Sequence, residues 1–96
     1  MTMPTINING TSQNVLVSKY GFARIALQNA LDSMYEASPH GRDYQTMARG
    51  AYSDAANEHA ERVQSLRRII REIETLELHC AGLLDKALIT NAALSV

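Results

Sequence analysis

The chain has few of the residues that brace a small fold from inside. Of its 96 residues one is cysteine, two are proline and none is tryptophan. Cys80 is the only thiol, so no disulfide forms within the chain, and Phe22 is the only phenylalanine. A domain of this length buries only about 60–65% of the surface that its unfolded chain exposes. We therefore expect long helical packing and self-association to supply the missing stability.

An excess of charge of one sign is also missing. Nine Lys and Arg side chains nearly balance ten Asp and Glu side chains, which leaves a formal net charge of −1. Such a balance provides no long-range field for nucleic acid or an anionic membrane, so charge-driven binding to either is disfavoured. No run approaches the roughly 18 apolar residues that span a bilayer, and residues 1–5 lack the pattern of a secretory signal. We expect a soluble intracellular protein.

The strongest pattern lies between Ala51 and Cys80, where neither Gly nor Pro interrupts a helical periodicity. Its apolar or small positions step by four and three residues: Tyr52, Ala56, His59, Val63, Leu66, Ile70 and Ile73. Such a stripe predicts a helix that packs lengthwise on another helix, as in a coiled coil. We assign this second helix to residues 50–81.

A similar helical pattern lies earlier in the chain and predicts a first helix. Thr11 or Ser12 is suited to be the N-cap of this helix. Its apolar positions are Leu16, Tyr20, Ala23, Leu27, Ala30 and Met34. Gly21 lies inside the pattern and marks a kink or a close approach. Pro39 and the following Gly41 favour a turn, so we assign the first helix to residues 12–37 and the turn to residues 38–49.

Two helices joined by a turn predict an antiparallel hairpin. The fold class is therefore all-α, a single domain over residues 1–96, with an extended arm at 1–11 and a short third helix or tail at 83–94. The second helix, taken over residues 51–80, exceeds the first, taken over residues 15–36, by about 12 Å at 1.5 Å per residue. We expect the tail to cover this overhang, either by folding back as a short third helix or by extending the second helix into a partner subunit. The chain should assemble into a homodimer or higher oligomeric bundle through the stripe from Leu66 to Leu88.

Histidine and cysteine do not show the spacing of a metal site. His59 and His79 are some 30 Å apart on one helix, and His79 and Cys80 project about 100° apart. We expect His59 to pack in the stripe with its polar edge satisfied, His79 to face solvent, and Cys80 to be buried. No metal, cofactor or catalytic constellation is predicted.

The turn is one candidate for recognition. It carries His40, Arg42, Asp43 and Tyr44, and these side chains either contact a partner or only cap and pack the turn.

A basic cluster on the second helix is the other candidate, formed by Arg67, Arg68 and Arg71. These side chains could hold phosphate. The sequence also offers a simpler role, because acidic residues follow or precede the arginines at ion-pair spacing. The pairs are Glu58 with Arg62, Arg68 with Glu72, and Arg71 with Glu74.

The turn Pro39-His40-Gly41-Arg42-Asp43-Tyr44, with Glu58-His59-Ala60-Glu61-Arg62 in the helix after it, resembles small uncharacterised proteins of tailed bacteriophages and prophages. In those proteins a similar turn precedes a long helix with an acidic-His segment. The similarity covers residues 25–80. It implies a structural or recognition role for the turn and transfers no catalytic residue. Small phage accessory proteins often bind and block a host protein, including CRISPR components, or sequester a signalling nucleotide.

The sequence and this resemblance together predict a non-enzymatic protein that binds and inhibits a host macromolecule in the bacterial cytoplasm, as anti-CRISPR proteins do. Two alternatives stay open. One is an oligomeric binder, or sponge, of a small nucleotide, and the other is a structural or assembly protein.

Overall fold

The computed structural model describes residues 1–7 and 10–82. Within them all regular structure is helical: α1 spans Gln13–Glu36, a short 3₁₀ helix spans Gly41–Tyr44, and α2 spans Ala51–Cys80. The two α-helices pack against each other, which confirms the all-α prediction. The predicted third helix or tail at 83–94 lies outside the described residues.

Local chemistry sets the helix ends close to the predicted positions. Ser12 is the N-cap of α1, and its hydroxyl accepts a 3.4 Å hydrogen bond from the Val15 amide. At the other end the Ser38 hydroxyl donates to the Tyr35 carbonyl at 2.8 Å, one residue before Pro39. Gly50 precedes α2 with a φ of 90°, a left-handed conformation that glycine adopts without a Cβ clash.

The core between the helices is small. Among the described residues, only Val63, Ile70 and Cys80 are buried, and all three belong to α2. Their burial confirms the position of the α2 stripe and the prediction for Cys80. The helix α1 contributes partly buried residues: Leu16, Tyr20, Ala23, Leu27 and Met34.

Ala30 departs from the predicted α1 stripe. It is exposed, and Leu31 is partly buried instead. A straight helix has 3.6 residues per turn, so a strict four-and-three pattern rotates away from the contact line by about 20° per heptad. By the fifth turn of α1 that rotation has moved position 30 off the interface and brought position 31 onto it.

The helices α1 and α2 are antiparallel, and α2 extends beyond α1 at the end where the loop connects them. Near the open end, the Gln13 side chain donates from Nε2 to the Cys80 carbonyl at 3.0 Å. Near the loop, His59 Nε2 lies 2.7 Å from the Met34 carbonyl oxygen. Helix α1 ends two residues after Met34, whereas residues 51–58 of α2 still precede His59.

The overhang is therefore at the N-terminal end of α2. The loop with its 3₁₀ helix covers part of it, because Tyr44 packs on Tyr52 with ring centroids 6.3 Å apart. The predicted association through the stripe from Leu66 to Leu88 is a separate expectation, and residues 83–88 of that stripe lie outside the described residues. Within that stripe, Ile70 and Cys80 are already buried by the chain's own packing.

The N-terminal arm contacts the far end of α2. His79 is partly buried, and its Nε2 lies within hydrogen-bond distance of the Pro4 carbonyl oxygen, at 2.7 Å. The prediction that His79 faces solvent is thus wrong. The contact joins residues 75 apart in the chain, so helical periodicity alone could not reveal it.

One ion pair crosses the helix interface. Arg24 donates to the Glu77 carboxylate from Nε at 2.6 Å and from Nη2 at 3.2 Å, a two-point geometry that holds both side chains. A Cβ at Gly21 would lie 3.3 Å from Glu77 Oε1, so Gly21 permits this close approach. The hydrogen bond with Arg24 outweighs the opposing effect of burial and lowers the pKa of Glu77 below its ordinary value of 4.5.

We expect acid to weaken the helix pair through Glu77. A carboxyl group with a lower pKa in the folded state stabilises the fold above its unfolded pKa, and this contribution is lost as the pH falls through the folded value. The urea midpoint of the wild type should therefore fall below pH 4.5. Glu77→Gln should have a lower midpoint at pH 7 and a smaller acid-induced fall.

Glu72→Gln is the matched control, since Glu72 belongs to an exposed pair with Arg68 at 3.4 Å and should be near neutral. Equal acid sensitivity of Glu77→Gln and the wild type would mean that the Arg24 pair does not contribute.

Candidate functional site

A groove of about 440 Å³ lies at the loop end of the helix pair. It exists because α2 extends past the end of α1, so the first turns of α2 face the start of the loop instead of a neighbouring helix. Its lining residues are Tyr35, Ser38, Pro39, Tyr52, Ala56, His59, Ala60, Val63, Gln64 and Arg67.

Two tyrosines and an arginine dominate the groove. Tyr35 is 44% exposed and Tyr52 is 46% exposed, so both present accessible surface. The Arg67 guanidinium lies 5.7 Å from the centroid of the Tyr35 ring, within cation–π range. Arg67 is the only Lys, Arg, Asp or Glu among the lining residues, so it supplies the one formal charge of the lining.

The interior of the groove is held in place. His59 is partly buried, and its bond to the Met34 carbonyl orients the imidazole, as predicted for a stripe residue with a satisfied polar edge. Val63 beside it is only 7% exposed. The groove therefore has a fixed apolar base under more exposed aromatic and cationic groups, a combination typical of protein-binding surfaces.

The turn residues separate into two groups. Tyr44 is partly buried and its ring packs on Tyr52, with an angle of 49° between the two planes. It therefore supports a wall of the groove. His40, Arg42 and Asp43 are exposed along the 3₁₀ helix and its N-cap, and none of them lines the groove.

The three arginines of the cluster have different surroundings in the structure. Arg67 belongs to the groove, whereas Arg68 pairs with Glu72 at 3.4 Å. The predicted pair between Glu58 and Arg62 forms at 3.8 Å. Arg71 is exposed, and within the described part of the chain it forms no ion pair with Glu74. The solvated, salt-bridged face is thus present in part, and Arg67 is the exception.

We also searched residues 1–7 and 10–82 for a metal site, a membrane-spanning helix and an accessible thiol. No group of three or more His, Cys, Asp and Glu side chains in this part of the chain could hold a metal ion. Neither described helix has the length and apolarity needed to cross a membrane. Cys80 is a free thiol but is only 1% exposed.

No family model matches the chain, and no curated protein or solved structure matches it significantly. The resemblance to phage accessory proteins therefore stays a prediction from the residues of the turn and of α2.

Several groove residues escaped the sequence analysis. Tyr35 lies off the α1 stripe, Pro39 was used as a helix stop and as part of the turn motif but not as a binding residue, and Gln64 belongs to no motif. Tyr52 is an exposed aromatic residue at the start of the α2 stripe, but this signal could be interpreted only with the axial position of the two helices, which the sequence does not give. A large aromatic residue on an uncovered part of a stripe indicates a surface open to a ligand.

Proposed function

We propose that this chain is a non-enzymatic binding protein of the phage accessory type, which captures and inhibits a host protein through the groove. The observation that supports this most is the accessible pair Tyr35 and Tyr52 beside Arg67, over a fixed apolar base. Tyr and Arg are the residue types that most often dominate the energy of protein interfaces.

The groove suggests the chemistry of its ligand. Its open shape suits a segment lying across the surface, with an apolar or aromatic side chain placed between the two tyrosines. Arg67 supplies the only formal positive charge in the lining, so a carboxylate next to that side chain would be favoured. The exposed residues His40, Arg42 and Asp43 lie on the adjoining turn and would contact the rest of the partner.

The test compares Arg67 with its neighbour in sequence. Immobilised wild type, Arg67→Ala and Arg68→Ala proteins are incubated with bacterial lysate, and retained proteins are quantified by mass spectrometry. We expect one partner to be retained by the wild type and by Arg68→Ala, with at least about tenfold less on Arg67→Ala. The partner's activity should then fall when purified wild-type protein is added in excess.

Arg68→Ala controls for the loss of a helix arginine, because Arg68 faces away from the groove and pairs with Glu72. Circular dichroism should show all three proteins equally folded. Retention of the same proteins by all three, or retention of none, would refute the groove as the binding site.

Binding of a small nucleotide is the second candidate, and the Tyr35–Arg67 arrangement favours it. An aromatic ring offers a stacking surface for a base, and a guanidinium next to it offers a partner for phosphate. A thermal-shift screen with cyclic nucleotides separates this function from the first. A specific ligand at 100 times its Kd should stabilise the wild type by about 2.7 kcal/mol, and Arg67→Ala should abolish the shift.

A further inference from the structure

Two arginines of α2 lie on the side of the helix that faces the groove. Arg71 follows Arg67 by four residues, so the two positions differ by about 40° around the helix and by about 6 Å along its axis. Arg68 differs from Arg67 by about 100° and pairs with Glu72 at 3.4 Å. Of the three arginines in the cluster, Arg71 is therefore the one that continues the groove along α2.

The fold itself does not use these two charges. Arg67 and Arg71 are exposed, and neither forms an ion pair with another described residue. Glu74 lies three residues beyond Arg71, but its charge acts on Arg24. The hydrogen bond with Glu77 raises the pKa of Arg24, and the charge of Glu74 adds to that effect. Like charges at i and i+4 repel each other and destabilise a helix, so folding gives no reason for the Arg67–Arg71 spacing.

We propose that the groove binds an extended acidic segment of a partner protein, with two carboxylates of the segment bound by Arg67 and Arg71. An aromatic or apolar side chain of the same segment would enter the groove next to Tyr35. This inference rests on the binding function proposed above and specifies the chemistry of its ligand.

The spacing of the two arginines suits an extended ligand. In such a segment residues i and i+2 point to the same side and lie about 6.6 Å apart, close to the rise of about 6 Å between Arg67 and Arg71. Guanidinium groups bind carboxylates through charge-assisted hydrogen bonds, often two at a time. Recognition of acidic motifs by grouped arginines is a recurrent mode of peptide binding.

The charge of the chain favours a protein ligand over a nucleic acid. Its formal net charge is −1, so the chain lacks the long-range field that attracts a polyanion. Two guanidinium groups beside an apolar groove fit a short ligand that has few charges and a nonpolar anchor.

Fluorescence polarisation with short labelled peptides tests this ligand class. The probe Phe-Ala-Glu-Ala-Glu and its reversed sequence present the anchor and two carboxylates in both chain directions. We expect one of them to bind the wild type at least about tenfold more tightly than the same peptide with glutamine in place of both glutamates. Replacing phenylalanine by alanine should also weaken binding about tenfold, and added salt should weaken binding of the acidic probe.

Arg71→Ala is the variant that isolates this inference. It should weaken binding of the acidic probe about five- to tenfold, but it should not affect a probe whose single glutamate is the one closer to the anchor. Arg68→Ala is the matched control and should bind both probes as the wild type does. Circular dichroism should show the variants at positions 67, 68 and 71 equally folded, because none of these side chains is buried.

Three results would overturn the inference. Equal affinities for the acidic and glutamine probes, or no binding at about 1 mM peptide, would exclude an acidic ligand. Equal losses of affinity in Arg68→Ala and Arg71→Ala would exclude the path along α2. Tighter binding of a labelled thymidine oligonucleotide, with the same dependence on Arg67 and Arg71, would assign the arginines to phosphate.

The lysate experiment with Arg67→Ala and Arg68→Ala separates these failures from a failure of the proposed function. A partner lost only with Arg67→Ala would keep the groove as a binding site while the acidic ligand is rejected.

Discussion

We expect Ile70→Asp to unfold the protein, whereas Ile69→Asp should leave it folded. Ile70 is 6% exposed in the middle of the α2 stripe, and Ile69 next to it is 38% exposed. An aspartate at position 70 would place a carboxylate with no cationic partner among apolar side chains. Such burial costs several kcal/mol, which is a large part of the stability of a small domain.

Far-ultraviolet circular dichroism with urea denaturation measures this difference directly. Both variants carry the same substitution in the same helix, so helix propensity and net charge are matched. Ile70→Asp should lose the helical signal or its cooperative transition at neutral pH, while Ile69→Asp retains both. If the two denaturation curves coincided, the α2 stripe would not be the core of the fold.

We expect Gly50→Ala to lower the free energy of unfolding by about 1–2 kcal/mol. Gly50 has a φ of 90°, and a Cβ placed there would meet no atom within 4 Å. The cost is thus conformational, because a left-handed backbone disfavours any residue with a Cβ. In a protein with only three buried apolar side chains among its described residues, that cost should appear as a clear decrease in Tm.

Gly41→Ala is the matched control for this substitution. A Cβ at Gly41 would also meet nothing within 4 Å, but its φ is not in the left-handed region. Alanine at position 41 should therefore be neutral or stabilising by up to about 1 kcal/mol, through a less flexible unfolded chain. Equal Tm values for the two variants would contradict a role for the Gly50 backbone.

Helix positions were predictable because their signals are local. The predicted helices at 12–37 and 50–81 compare with Gln13–Glu36 and Ala51–Cys80 in the structure. A Ser N-cap, a proline stop and an uninterrupted four-and-three stripe act within a few residues of each other. The Ala30 error has a local origin too, since the strict pattern ignored the rotation of a straight helix.

Contacts between distant segments were not predictable in this way. The sequence contains no pattern that links His79 to the carbonyl of Pro4, because a backbone acceptor has no residue signature. The relative shift of the two helices was also hidden. It depends on the side-chain packing that brings Met34 to His59, and periodicity gives the phase of a helix but not its axial position.

The candidate site was predictable only in part for the same reason. Arg67 and Tyr44 were among the candidate residues, each grouped there with its neighbours in sequence. The structure places Arg67 over Tyr35 and Tyr44 against Tyr52, which are pairs across the loop end. These pairs could be predicted only if the axial position of α1 relative to α2 were known.

The order of contacts along the chain has a consequence for the speed of folding. The packing of α1 on α2 joins consecutive helices through the loop at residues 37–50, so its first contacts close a short segment. Chains with such local topology fold in about microseconds to milliseconds. The loop end, with His59 against Met34, should form before the N-terminal arm contacts His79, so the groove would be assembled before the arm packs on α2.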